Sequence, residues 1–210
     1  MPSFILGVEF PSERTVSLGN TLKVRHTQDE PSYSVTRPSG LLDQASSDLS
    51  YTITATDPDA PSRDNPEWAE FCHLIATGLH LSSSSSSSVG SGPSVSSSSG
   101  LEVIMPWKSP GPPPGTGKHR YVFLLFAPEN GTTDRLHLTT PKERKHWGTG
   151  KERHGVRDWA LSNGLVPVGK SFPSRPGTRR EENQHLKSAL SRYSNQITAA
   201  NFFYAQNEEQ

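Results

Sequence analysis

The eight residues from Glu70 to Thr77, EFCHLIAT, constrain this chain most. Read with a period of two, Phe71, His73 and Ile75 share one side and Cys72, Leu74 and Ala76 the other. Both sides are apolar, so the strand must be covered on both faces and belongs in the middle of a sheet. His73 is thereby predicted on a buried face.

Two further runs supply neighbours for it. Asp48 to Asp57, DLSYTITATD, alternates and is rich in Tyr, Thr and Ile, so it reads as a strand with Tyr51, Ile53, Ala55 and Asp57 on one face. The apolar members of that face turn to the core, which brings the Asp57 carboxylate to the inner edge of the sheet. Pro58 and Pro61 then stop the strand, since proline lacks the N–H that a ladder needs. His119 to Ala127, HRYVFLLFA, is the most hydrophobic stretch of the chain and predicts a third strand. On it His119, Tyr121, Phe123 and Leu125 share one face and Arg120, Val122, Leu124 and Phe126 the other. The turn-rich loop Pro110 to Lys118 delivers the chain to this strand.

Gly155 to Leu165 places Val156, Trp159 and Ala160 at helical spacing, with Asn163-Gly164 as a left-handed stop, which predicts a short amphipathic helix. The run Ala200 to Gln206, ANFFYAQ, is strand-like. Between the second and third strands, Ser82 to Gly100 holds 13 serines and almost nothing to bury, so it is expected to be a disordered loop insertion.

The 210 residues give room for a single domain. Lys plus Arg equals Asp plus Glu at 21 each, so the charge balance makes no case for nucleic-acid binding. The lone Cys72 excludes an internal disulfide and a multi-Cys zinc site. The N-terminus lacks a basic region and a long enough apolar stretch for a secretory signal, and no run of 18 apolar residues occurs. The expectation is a cytoplasmic monomer without integral membrane association.

Asp57 at a strand end, His73 inside a strand, and His119 with Tyr121 on one strand face converge on one pocket. A carboxylate beside two imidazoles orients the rings and favours their protonated form, so ring N–H groups and a phenol O–H face an incoming anion. Glycine amides from the Gly111 to Gly117 loop add backbone donors. This chemistry holds a phosphate-like group. Set against it is the plain reading of buried, hydrogen-bonded histidines and a turn-capping aspartate, and a weaker two-His, one-Asp metal match. No G-x-S-x-G elbow is present and Cys72 faces away from His73, so no nucleophile stands out. No cofactor motif is found, and none is expected.

The segments Asp57-Pro58-Asp59-Ala60-Pro61-Ser62-Arg63, His73 in EFCHLI, Gly111-Pro112, and Gly115-Thr116-Gly117-Lys118-His119-Arg120-Tyr121 resemble the signature segments of the phosphatidylethanolamine-binding protein family. The likeness runs from about Phe4 to Gly169 and resumes in the last ten residues. It implies a mainly β fold: a β-sandwich with a large central antiparallel sheet, a smaller second sheet and a few peripheral helices. It also implies a non-enzymatic binding protein whose pocket positions fall on Asp57, His73, Gly111, His119 and Tyr121, with Pro58, Asp59, Pro61 and Arg120 in support and Ala60-Pro61 as a cis bond. The ligand would be an anionic small molecule, a phospholipid head group or a phosphorylated partner. FFYAQNEE and WGTGKERHGVRDWA look closest to fungal members, a subset of which inhibits a serine carboxypeptidase, so protease inhibition is the alternative.

Relatives pass from VPVG almost directly into the aromatic strand, which makes residues 170 to 199 atypical. Two readings compete. One is a genuine insert, with Thr178 and Glu181 as a capping box and Leu186, Ala189, Leu190, Tyr193 and Ile197 at helical spacing. The other is translated non-coding sequence from a faulty gene model, which accounts better for its polar, basic composition.

Overall fold

The computed structural model describes residues 5–11, 13–36, 49–80, 100–133, 136–152, 154–168 and 199–209. The Ser-rich run before Gly100 and the atypical segment before Ala199 lie outside the described residues.

The alternating runs form strands because each has an apolar face to bury, and two sheets result. Strands β1 (Ile5–Phe10), β2 (Arg14–Thr15) and β4 (Ser32–Thr36) make a three-stranded sheet in the order β2-β1-β4. The large sheet runs β3 (Asn20–Thr21), β10 (Ala200–Ala205), β8 (His119–Pro128), β5 (Tyr51–Asp57), β6 (Phe71–Leu79), β7 (Glu102–Met105), with β9 (Leu165–Pro167) also on β8. Its pairings are antiparallel except β3 with β10. The main core lies between the sheets, where Leu6, Val8, Phe10 and Val35 meet Ile53, Leu74, Phe123, Leu125 and Phe203.

The outer face of the large sheet is covered too. Helix α1 (Val156–Ser162) and Trp147 pack on Cys72, Ile75, Leu124 and Phe126. Gly164 takes φ +65 just past the helix, as its sequence position predicts. Glu70 Oε2 accepts the Val156 N–H at 3.0 Å and so fills one of the bonds an α-helix start leaves open. Gly155 is required there, since a Cβ would fall 2.7 Å from the Glu70 side chain. This second layer is why all seven residues of β5 are buried, not the one face that alternation suggests. Its outward threonines lose no hydrogen bond: Thr56 Oγ1 donates to Phe71 O at 3.2 Å and accepts from Trp147 Nε1 at 3.1 Å.

Strict alternation fails in β6. Ala55 pairs with Leu74 but Thr56 pairs with Cys72, so His73 is an extra residue, a β-bulge. Phe71 and His73 keep to one side as expected. Leu74, however, joins the inter-sheet core on that side, and Ile75 moves to the outer cluster with Cys72. The bulge thus leaves the imidazole on the inner side and reverses the faces beyond it, with Leu74 and Ala76 inward and Ile75 outward.

Strands β9 and β10 lie end to end along β8. Pro167 pairs with Phe126 and Ala200 with Leu124. At Leu125 between them, Val168 N–H donates to Leu125 O at 3.0 Å and Leu125 N–H donates to Ala199 O at 3.1 Å. One residue opposite Leu125 would normally make both bonds. Here Val168 supplies the donor and Ala199 the acceptor, so a single strand is divided between two chain segments.

Candidate functional site

The ends of β5 and β8 and the bulge of β6 meet at one buried cluster. Asp57 is 2% exposed, His73 5%, His119 1% and Tyr121 2%. Asp57 Oδ2 contacts His119 Nδ1 at 2.8 Å, and Asp57 Oδ1 accepts the Asp59 N–H at 2.7 Å. Both carboxylate oxygens are therefore engaged from inside the fold.

His119 Nε2 lies 3.0 Å from Thr116 Oγ1, and that hydroxyl donates to Pro113 O at 2.8 Å. A hydroxyl that has donated its proton elsewhere can only accept, so Nε2 carries a proton. At its other nitrogen the ring faces Asp57 Oδ2, so both ring nitrogens are engaged. Thr116 is a site residue that sequence reasoning passed over. Its signal was the flanking pair Gly115 and Gly117, which take φ +74 and +73 and fold the loop back over the histidine three residues on.

His73 departs from expectation. Its Nδ1 donates to Lys108 O, and the Lys108 N–H returns a bond to His73 O at 2.8 Å. Burial pushes the imidazole down to about 4, against the opposing pull of the Lys108 carbonyl and of Asp57. The ring is neutral near pH 7, so Nε2 carries a lone pair and accepts. The reading of two protonated imidazoles therefore fails at His73.

The Tyr121 ring meets His73 edge-on at 5.1 Å and stacks on Phe203 at 5.1 Å. Burial first, then the Asp57 charge, raises its phenol, which stays protonated; its oxygen accepts from Gly111 N–H. The phenol proton is left for another acceptor. Trp107, from the loop after β7, stacks on Phe123 and flanks His73 at 6.2 Å.

Beneath the cluster, Asp59 binds Arg120 in a fork: Nη2 to Oδ1 at 2.7 Å, with Nε and the backbone N–H to Oδ2, each at 2.9 Å. Burial alone would raise the Asp59 carboxyl, but the Arg120 bonds and charge, helped by Arg63, hold it below the usual range. The Pro58 to Pro61 turn carries Asp59 to that position, and the Ala60-Pro61 bond is cis as the resemblance implied. Asp57, His73, Gly111, His119 and Tyr121 are thus brought together, with Asp59 and Arg120 as a brace.

The alternative chemistries fare worse. Among the described residues no group of three or more His, Cys, Asp or Glu side chains is placed to hold a metal ion. Cys72 is fully buried on the outer side of the sheet, its thiol pushed up to about 12. Thr116, His119 and Asp57 have the connectivity of a hydroxyl–imidazole–carboxylate relay, but the Thr116 proton points to Pro113 O, away from the ring.

A small sheet packed on a large antiparallel one, with a histidine–aspartate pair at the strand ends, is the architecture of the phosphatidylethanolamine-binding proteins. The chain belongs to that family, whose model matches residues 12–168. Within it, the chain is 34% identical to the carboxypeptidase Y inhibitor of Saccharomyces cerevisiae, over 81% of this chain and 83% of the inhibitor. A second S. cerevisiae protein, uncharacterized, is 31% identical over 80% of this chain and 79% of its own. Among solved structures, a carboxypeptidase Y inhibitor complexed with its cognate proteinase superposes with TM-score 0.67 at 28% identity, covering 99% of this chain and 85% of that one. A phosphatidylethanolamine-binding protein from Plasmodium vivax shares the fold at TM-score 0.57 and 15% identity, over 97% and 85% of the two chains. Among the described residues no helix is long and apolar enough to cross a membrane.

Proposed function

We propose that this chain is a regulatory binding protein that inhibits a serine carboxypeptidase through its surface, and that its buried pocket separately holds a small anion. The inhibitor reading comes first, reversing the order that motifs alone suggest. What carries it is identity of 34%, spread over four fifths of both chains, to a protein named for that inhibition. The test is titration of the full chain against purified serine carboxypeptidase. Activity should fall to a stoichiometric end point, and activity that stays constant at micromolar protein refutes the reading. Inhibition that survives His119→Ala places the inhibitory surface outside the pocket; inhibition lost with it places the pocket in the interface.

The anion reading is favoured by one observation, the convergence of Asp57, His73, Gly111, His119 and Tyr121 on one buried cluster. Pro58, Asp59, Pro61 and Arg120 are proposed to support it. The partners would be a phosphate-like group in the pocket and a carboxypeptidase outside it, in a cytoplasmic setting. Neither role is enzymatic, and the thiol of Cys72 is buried away from the pocket. Phosphoethanolamine titrated calorimetrically into the protein should release or absorb heat, and a flat trace would remove the anion reading.

A further inference from the structure

An anion pocket is ordinarily built from donors and positive charge, and this one is short of charge. His119 is committed to the Asp57 carboxylate. His73 and Tyr121 are neutral, and Arg120 is committed to Asp59. Arg144 spends its guanidinium on the carbonyls of Cys72, His73 and Pro106. Donors at the cluster include the Tyr121 O–H and the His119 Nε2–H now held by Thr116, and the buried indole N–H of Trp107, whose ring flanks His73, has no partner among the described residues. Opposite them stands an acceptor. Because Lys108 O takes the Nδ1 proton, the other ring nitrogen of His73 presents a lone pair, and it has no hydrogen-bond partner among the described residues. A fully ionised anion would set its own lone pair against that nitrogen.

We infer that the pocket selects anions that bring their own proton, namely the singly protonated phosphomonoester, whose P–O–H donates to His73 while its other oxygens accept from Tyr121 and His119. This rests on the anion-pocket reading above and narrows it. Sulfate esters, which carry no proton near neutral pH, and phosphodiesters, whose acidic oxygens are ionised or esterified, lack the donor. The chemistry therefore favours a phosphorylated small molecule or side chain over the diester head group of a membrane phospholipid. Two features of the site agree on this: the fixed tautomer of His73, and the absence of the net positive charge that a dianion would need. The groups that face His73 are Asp57 on β5, Tyr121 on β8, Phe71 on its own strand, and Lys108, Arg144 and Trp107 from the loops. None of them offers a second acceptor to a protonated ligand, since both Asp57 oxygens are taken.

The test uses the intact protein and three probes with the same ethanolamine arm: phosphoethanolamine, ethanolamine O-sulfate and glycerophosphoethanolamine. At pH 6 phosphoethanolamine should bind at least about tenfold more tightly than either of the others, the usual cost of leaving a buried polar group unmatched. Raising the pH to 8 removes the ligand proton, which has a pKa of about 6, and should weaken phosphoethanolamine binding by roughly fiftyfold. His73→Gln places an amide N–H2 where the lone pair stood, and should raise sulfate-ester affinity until the ratio nears one. Equal binding of all three probes by the wild-type protein overturns the selection and leaves the anion pocket standing. Binding of none at either pH removes the pocket reading itself, and the selection with it.

Discussion

Removing residues 169–199 should stabilise the protein, because the split strand then becomes one. Val168 would be followed directly by Ala200, and would make both bonds to Leu125 that Val168 and Ala199 now share. The register on either side, Pro167 with Phe126 and Ala200 with Leu124, needs no change. Val168 also keeps a buried side chain at that position, where Ala199 is equally buried. Closing a loop of this length costs (3/2)RT ln n, about 3 kcal/mol at 25 °C. In a chain of this size that is a rise in Tm of roughly 6–12 °C. The register supplies an internal control. Deleting 170–199 instead, the boundary that sequence comparison suggests, keeps Gly169 and forces an extra residue between the partners of Leu125 and Leu124. That variant must bulge or slip, so it should gain less. Both variants are measured by thermal unfolding monitored by circular dichroism. A 169–199 deletion that melts lower than the full chain, or without cooperativity, refutes the argument and shows that the segment contributes contacts of its own. A gain that is equal or larger in the 170–199 deletion refutes the register.

Three further outcomes are expected. Asp57→Asn should cost about 3 kcal/mol in urea unfolding: an amide has one acceptor where Asp57 accepts from both His119 and the Asp59 N–H, so one donor is left facing another. Acid sensitivity should fall in two windows. His73 has a pKa near 4 when folded against 6.5 unfolded, so the unfolded chain binds the proton first, and stability complete above about pH 6.5 is lost as the pH falls toward 4; His73→Gln should flatten that limb of a urea-midpoint profile. Asp59 is held below 3.8, so its contribution survives to lower pH and is lost only as the pH falls through the folded value, a limb that Asp59→Asn should remove. Finally, Cys72 should resist a thiol reagent at pH 8 until the protein is unfolded, and rapid labelling of the native protein would contradict its burial.

The long strands were legible in the chain, and so were their faces except in β6 beyond His73. Strand and helix positions follow from local periodicity, and Tyr121, Phe123 and Leu125 lie where alternation puts them because β8 runs without a bulge through a core covered on both sides. The glycine stop at Gly164 was legible for the same local reason, whereas the cis Ala60-Pro61 bond came from the resemblance. The short strands of the small sheet were not: β2 and β3 are two residues each, and they exist only because a longer partner supplies their hydrogen bonds.

The chemistry of the site was decided by tertiary structure. The residue types Asp57, His73, His119 and Tyr121 are plain in the sequence, but whether each donates or accepts is not, since that depends on which atom is already taken. The bulge at His73 arises from the register between two paired strands, which neither strand's own pattern reveals. The carbonyl of Lys108 fixes its tautomer, and burial keeps it neutral. Thr116 holds a proton on His119 only because its own proton goes to Pro113. Periodicity reports the face a side chain occupies; hydrogen-bond polarity is set by partners that only the folded chain brings together.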